Sequence, residues 1–242
     1  EGAGGQGLGP IELAVVCHQL GRVCFPGPYL DVVLAAKALE AAGGRDDALG
    51  AIVCGESIVV IARRDAVWPG EKGRTALDSG RVTGTKFFVP YGASADRLVV
   101  VAGDDCALVD GPFECLAMPT VDEAQRFAEV RLDHPAARIG GKRIVEGLDD
   151  WAAVGAAAIA LGLCEAALER SVAYSRQRET FGKPIGAYQV LQHRMADMLL
   201  RTESTRSAVY RAAWALARDD RDATLIASAA KAYAVESAGV VT

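Results

Sequence analysis

Residues 174–193 read YSRQRETFGKPIGAYQVLQH. A long apolar helical pattern runs into this stretch and a second runs out of it. Glycine closes a helix at its C′ position without steric cost, and proline sits comfortably in the first turn of the next. Gly182 and Pro184 therefore predict a helix stop and a restart, hence a tight antiparallel helix pair. Arg176, Arg178, Thr180, Phe181 and Gln189 crowd this corner. A guanidinium fork, a hydroxyl and an aromatic face together suit a pyrophosphate and a purine.

Outward from the corner, Val154, Ala157, Leu161, Cys164 and Leu168 step by three or four on the entering helix. On the leaving helix Tyr188, Leu191, Met195, Met198, Thr202, Thr205, Val209, Ala212 and Leu216 form one seam, with arginines on other faces. Asp219 to Asp222 is a polar turn expected to cap a last helix from Ala223 to the end. Three long helices with short connections predict a four-helix bundle that lacks its fourth member. Upstream, helices are expected at Pro10–Leu20 and Leu30–Ala42, separated by Phe25-Pro26-Gly27-Pro28.

Between Leu49 and about Leu132 the period changes. Short β-branched runs at Ala51–Val53, Ser57–Ala62, Arg74–Leu77, Arg81–Val89, Arg97–Ala102, Cys106–Val109 and Phe127–Leu132 alternate with Gly, Asp and Pro turns. Such spacing predicts an antiparallel sandwich or barrel and disfavours a dinucleotide-binding crossover unit. The expected class is α+β with several domains: a helical N-terminal part (1–48), a middle β domain (49–140) and a C-terminal helical bundle, incomplete (141–242).

The 242 residues are 51% hydrophobic and 24% charged, enough to bury a sizeable core. A net charge of −5 argues against nucleic acid as the main ligand. Six cysteines without a CxxC pair, most in apolar surroundings, read as reduced core thiols of a cytoplasmic protein. No run reads as long enough to span a bilayer, so no membrane partner is expected. The sequence lacks an initiating Met and ends inside a helical pattern, so it reads as part of something longer. GxGxxG, P-loop, HExxH and GxSxG motifs are absent, and His18, His134 and His193 are scattered, which disfavours a metal site. Residues 82–97, with Phe87, Phe88 and Tyr91 around Pro90, offer a wall for a flat ligand.

At these residues the chain resembles the acyl-CoA dehydrogenase family. RETFGKPIGAYQVLQHRMADM (178–198) is similar to that family's C-terminal domain. TGTKFFVPYGASADRLVVVA (83–102) is similar to its middle β domain. GGQGLG, QLGR and PGP, between Gly4 and Pro28, resemble its later N-terminal helices. The resemblance implies a flavoprotein that performs FAD-dependent α,β-dehydrogenation of an acyl-CoA thioester and passes electrons to an electron-transfer flavoprotein. It also implies a tetramer, homo- or heteromeric with a related subunit.

Carried over by position, Arg178, Thr180, Phe181 and Gln189 would reach an FAD held mainly by a neighbouring subunit. Phe88 would stand at the flavin ring and Asp150 at the substrate. Other positions depart from the pattern. IARRDAVW (61–68) replaces the Thr-Glu-Pro strand motif, and Pro90 stands where a hydroxyl and N–H are expected. Ala152 occupies one family position of the catalytic base, and the other lies beyond Thr242. Asp149 is a weaker substitute. A second reading follows: a non-catalytic partner that only completes its neighbour's FAD site.

Overall fold

The computed structural model describes residues 4–43, 46–68, 71, 73 and 75–242. Their contacts divide the chain into two units, one built mainly of Pro26–Asp149 and the other of Leu8–Phe25 with Asp150–Thr242. This groups the residues otherwise than a three-part division at 48 and 140 would.

The first unit carries α2 (Tyr29–Ala42), α3 (Asp46–Val53) and eight strands: β1 (Val59–Ala62), β2 (Ala76–Asp78), β3 (Arg81–Pro90), β4 (Arg97–Ala102), β5 (Asp105–Asp110), β6 (Glu114–Met118), β7 (Phe127–Pro135) and β8 (Ala137–Gly140). They form two four-stranded sheets, β1-β4-β5-β8 and β2-β3-β7-β6, rather than a closed barrel. The expectation of a wholly antiparallel domain is also corrected, because β1 and β4 pair in parallel, Val59 opposite Arg97. Alternation explains the sandwich: Val60, Ala62, Leu98 and Val100 from one sheet meet Val82, Val89, Val130 and Leu132 from the other. Each fully buried Val or Leu contributes roughly 1.5–3 kcal/mol. β4 is buried on both faces, and α2 packs against β1 and β4 through this unit's own helical layer.

Several sequence expectations shift. Ala51–Val53 is the last turn of α3 and not a strand, since Ala48, Leu49, Ile52 and Val53 keep a helical spacing behind Asp47. Arg74 lies outside the described residues, and the strand expected there is Ala76–Asp78. The strands β6 and β8 escaped the sequence reading because each is short and begins close to a proline.

The second unit contains α1 (Pro10–Arg22), α4 (Lys142–Gln177, from Asp150 onward), α5 (Gln189–Ala217) and α6 (Ala223–Val241). Here α1 joins the three long helices. Its Gly21 is required by contact: a Cβ there would lie 2.2 Å from the Ile159 carbonyl oxygen, and one at Gly162 would lie 2.2 Å from that of His18. Beside this crossing Glu165 binds His18 at 2.8 Å, Arg206 at 2.7 Å and Arg22. Burial raises the Glu165 carboxyl, but hydrogen bonds from Arg206, Arg22 and His18 outweigh it and hold the group at about 2. The seam of α5 is buried at Thr202, Thr205, Val209 and Ala212, against alanines 223, 227, 230 and 234 of α6. The α6 cap is not the Asp222 side chain; Asp220 accepts the Asp222 N–H instead, at 3.1 Å.

By length and composition α4 is apolar enough to cross a membrane, contrary to the sequence reading, yet half of its most apolar window is buried inside the protein. Its Ala- and Gly-rich turns are what a close helix crossing needs. Cys17, Cys106 and Cys164 are buried, with burial pushing the Cys17 thiol up to about 12, whereas Cys24 and Cys54 are exposed. The apolar neighbours of Cys54 in sequence thus did not bury it, because it follows the exposed end of α3.

Candidate functional site

The corner differs in construction from a simple helix stop and restart. α4 ends at Gln177, and the chain makes a small hairpin of β9 (Glu179–Thr180) and β10 (Lys183–Pro184). Phe181 (φ 52°) and Gly182 (φ 76°) are its two central residues, the positive-φ pair of a type I′ turn. Gly182 therefore serves the turn and not the helix end, and Pro184 lies in β10. The Ile185 N–H donates to the Arg178 carbonyl at 2.8 Å. Tyr188 Oη donates to the Thr180 carbonyl at 2.9 Å, and Lys183 Nζ lies 4.3 Å from the Tyr188 ring centroid. Tyr188, expected in the seam of the leaving helix, instead stands before α5 and holds the turn together with Lys183.

This hairpin brings Arg178, Thr180, Phe181 and Gln189 into one short segment. The Phe181 ring is 93% exposed, and the Arg178 side chain makes no ion pair or hydrogen bond among the described residues. The phenyl ring is thus held outward at positive φ, where exposure returns no hydrophobic gain. The donors and the ring fit a flat ligand bearing phosphates.

Phe88, in the first unit, is placed differently. A bulge between Lys86 and Val89 lets Phe87 bridge to Arg64 and turns Phe88 to φ 52°. Its ring meets Phe127 edge-on at 6.2 Å, and the Arg64 guanidinium lies 4.9 Å from its centroid. Its N–H is directed to Met118 Sδ at 3.2 Å. Two residues on, Pro90 has no N–H to offer. The Phe88 ring face, the donor beside it and the next donor position are thus respectively covered, used and absent. The Phe88 ring and N–H are engaged within their own unit, whereas the Arg178 side chain makes no ion pair or hydrogen bond among the described residues.

Lys86, fully buried, anchors the neighbouring loop: its ammonium binds Asp65, the Val101 carbonyl and, at 3.3 Å, the Arg63 carbonyl. Burial lowers the Lys86 pKa and Asp65 opposes the change. Arg63 pairs with Asp149. Burial raises the Asp31 carboxyl to about 6, against the pull of Arg63. Asp149 is thereby tied to a guanidinium. Ala152 has only a methyl group, and Asp150 accepts a hydrogen bond from Thr224 Oγ1 at 2.8 Å, tying α4 to α6. Arg63, Arg64 and Met118 were missed as a set by the sequence reading; two adjacent arginines at the expected flavin strand were the available signal.

Comparison with known proteins speaks to the family rather than to these individual residues. Residues 138–241 match the family described as Acyl-CoA dehydrogenase, C-terminal domain. The chain is 31% identical over 235 residues to acyl-CoA dehydrogenase FadE27 of Mycobacterium tuberculosis, covering 90% of this chain and 63% of that protein. It is 32% identical over 207 residues to acyl-CoA dehydrogenase IpdE2 of Mycolicibacterium smegmatis, covering 86% of this chain and 58% of that protein. The chain thus spans about three fifths of the length of these relatives. Among solved structures, the ChsE4-ChsE5 complex of M. tuberculosis is similar with a TM-score of 0.87 and 28% identity, over 99% of this chain and 70% of that one. The Tcur3481-Tcur3483 steroid ACAD variant is similar with a TM-score of 0.83 and 28% identity, over 98% and 71%.

Proposed function

The chain belongs to the acyl-CoA dehydrogenase family, and from that premise we propose that it is a subunit of a heteromeric acyl-CoA dehydrogenase, serving its neighbour's FAD through the corner at Arg178–Gln189. The observation that carries this is the contrast between an exposed Arg178 and Phe181, without side-chain partners among the described residues, and a Phe88 ring already contacted within its own unit. Arg178 offers a planar fork to a phosphate, Phe181 an aromatic face, and Gln189, first residue of α5, an amide at a helix start. FAD, when bound, takes up the two electrons of acyl-CoA oxidation and hands them to an electron-transfer flavoprotein. The related assemblies ChsE4-ChsE5 and Tcur3481-Tcur3483 support a pairing of unlike subunits. Ala152 carries only a methyl group and Asp149 is paired with Arg63, which supports a proton acceptor supplied from elsewhere in the complex.

The test is flavin content. Purified alone, the full-length protein is expected to carry little FAD, and co-expression with a catalytic relative is expected to give a yellow complex. Stoichiometric FAD on the isolated protein would overturn the partner role in favour of a subunit that binds its own flavin.

A further inference from the structure

The first unit holds a cleft of about 450 Å³ between the Tyr91–Ser94 turn and the residues joining β6 to β7. Pockets of roughly 300–1,000 Å³ suit small organic ligands. Met118, Phe127 and Ala128 supply apolar wall, while Ser94, Gln125 and Arg126 supply polar atoms. Tyr91, like Phe88, has a φ of 52°, and its N–H donates to the Arg126 carbonyl at 2.8 Å. Of these two left-handed residues, Tyr91 lines the cavity and Phe88 touches two of its lining residues, and each is pinned by a residue that lines it: Phe88 by Met118, Tyr91 by Arg126. Such conformations cost of order 1–3 kcal/mol each and cluster where a ligand is clamped.

The polar groups define the ligand. The Arg126 guanidinium makes no ion pair among the described residues, and the Gln125 amide and Ser94 hydroxyl have no side-chain hydrogen bond among them. Glu123, also at the rim, is the opposing charge and excludes dianions more strongly than a single carboxylate. Asp122 is occupied with the backbone of its own turn, accepting the Ala124 N–H at 3.0 Å. We propose that this cleft binds a small organic carboxylate with an aromatic or branched apolar body, the carboxylate on Arg126 and the body against Met118 and Phe127. The site is separate from the corner and does not rest on the assembly proposed above. Because Met118 and Phe127 also touch Phe88, occupancy would be felt at the Phe88 backbone.

The experiment is a titration of the isotope-labelled full-length protein with 3-phenylpropionate and with its neutral amide, followed by amide resonances. Saturable shifts are expected at Phe88, Tyr91, Gln125 and Phe127, with the amide about tenfold weaker because a charge-assisted bond is lost. Arg126→Gln should weaken the acid by about as much and leave the amide unchanged. Ala93 is exposed, so Ala93→Trp fills the cleft without touching the core and should abolish binding at an unchanged melting temperature. Equal binding of acid and amide, shifts located elsewhere, or binding that survives Ala93→Trp would each overturn the assignment.

Discussion

Phe88 and Phe181 share a backbone conformation that phenylalanine rarely adopts, φ 52°, and differ in almost everything else. Phe88 sits in a bulge between two strands, with Phe127 at its edge, Arg64 near its face and Met118 on its N–H. Phe181 sits at the tip of a two-residue turn with its ring 93% exposed. Strain at Phe88 is offset by contacts within its own sandwich. At Phe181 the two-residue turn itself sets the positive φ, and the ring gains no burial in return. One ring is engaged by its own fold and the other stands open to solvent.

That comparison breaks or sharpens with substitutions of graded effect. The largest is expected at the anchor of the Phe88 site. Lys86→Ala would leave Asp65 and two carbonyls without their cation, and removing one member of a buried pair costs roughly 3–5 kcal/mol. Urea unfolding should show it; a loss within about 0.5 kcal/mol, the scale of ordinary surface changes, would mean the site is not held by Lys86.

Arg178→Ala should leave the unfolding midpoint unchanged and lower the flavin content of the complex about tenfold, a contribution ordinary for charge-assisted bonds to phosphate. Unchanged flavin would remove the corner from the cofactor.

The ionised cluster beside the Phe88 site gives a pH test. Asp31 is raised to about 6 when folded, above the unfolded value of about 3.9, so the folded state binds the proton more tightly. Stability contributed by its protonated form is present at low pH and is lost as pH rises from about 4 through about 6. Asp31→Asn should therefore raise the melting temperature at pH 8 by about 2–4 °C and change little at pH 4. A larger gain at pH 4 would reverse the sign and refute the burial account.

The smallest effect separates the two phenylalanines directly. Phe181→Asn keeps a residue at ease in the left-handed region and loses no packing, so a gain of about 0.5–1 kcal/mol is expected. Phe88→Asn relieves the same strain but gives up its contact with Phe127, for a net loss of about 1 kcal/mol. Equal signs in calorimetry would show that the two residues are not opposites.

Much of the architecture is set by local pattern. The 3.6-residue stripes of α1, α2, α5 and α6 and the β-branched runs from Val59 to Leu132 are legible because apolar spacing is a property of neighbouring residues. The corner's Arg178, Thr180, Phe181 and Gln189 were legible as a group for the same reason, being adjacent in the chain. The two sheets' division, the parallel pair of β1 with β4, and α1's place beside α4 through Gly21 and Gly162 depend on partners far away in sequence. No local propensity encodes them.

So the chain's residues alone determined that helices flank a β region and that a polar, aromatic corner lies between two long helices. Only the tertiary structure decided that the corner is a type I′ hairpin with its ring outward, and that the Phe88 face is already covered by Arg64, beside an Arg63 held by Asp149. The reason is physical. A side chain's type is a local fact, whereas whether its hydrogen bonds and ring faces remain free depends on which distant groups folding brings against it.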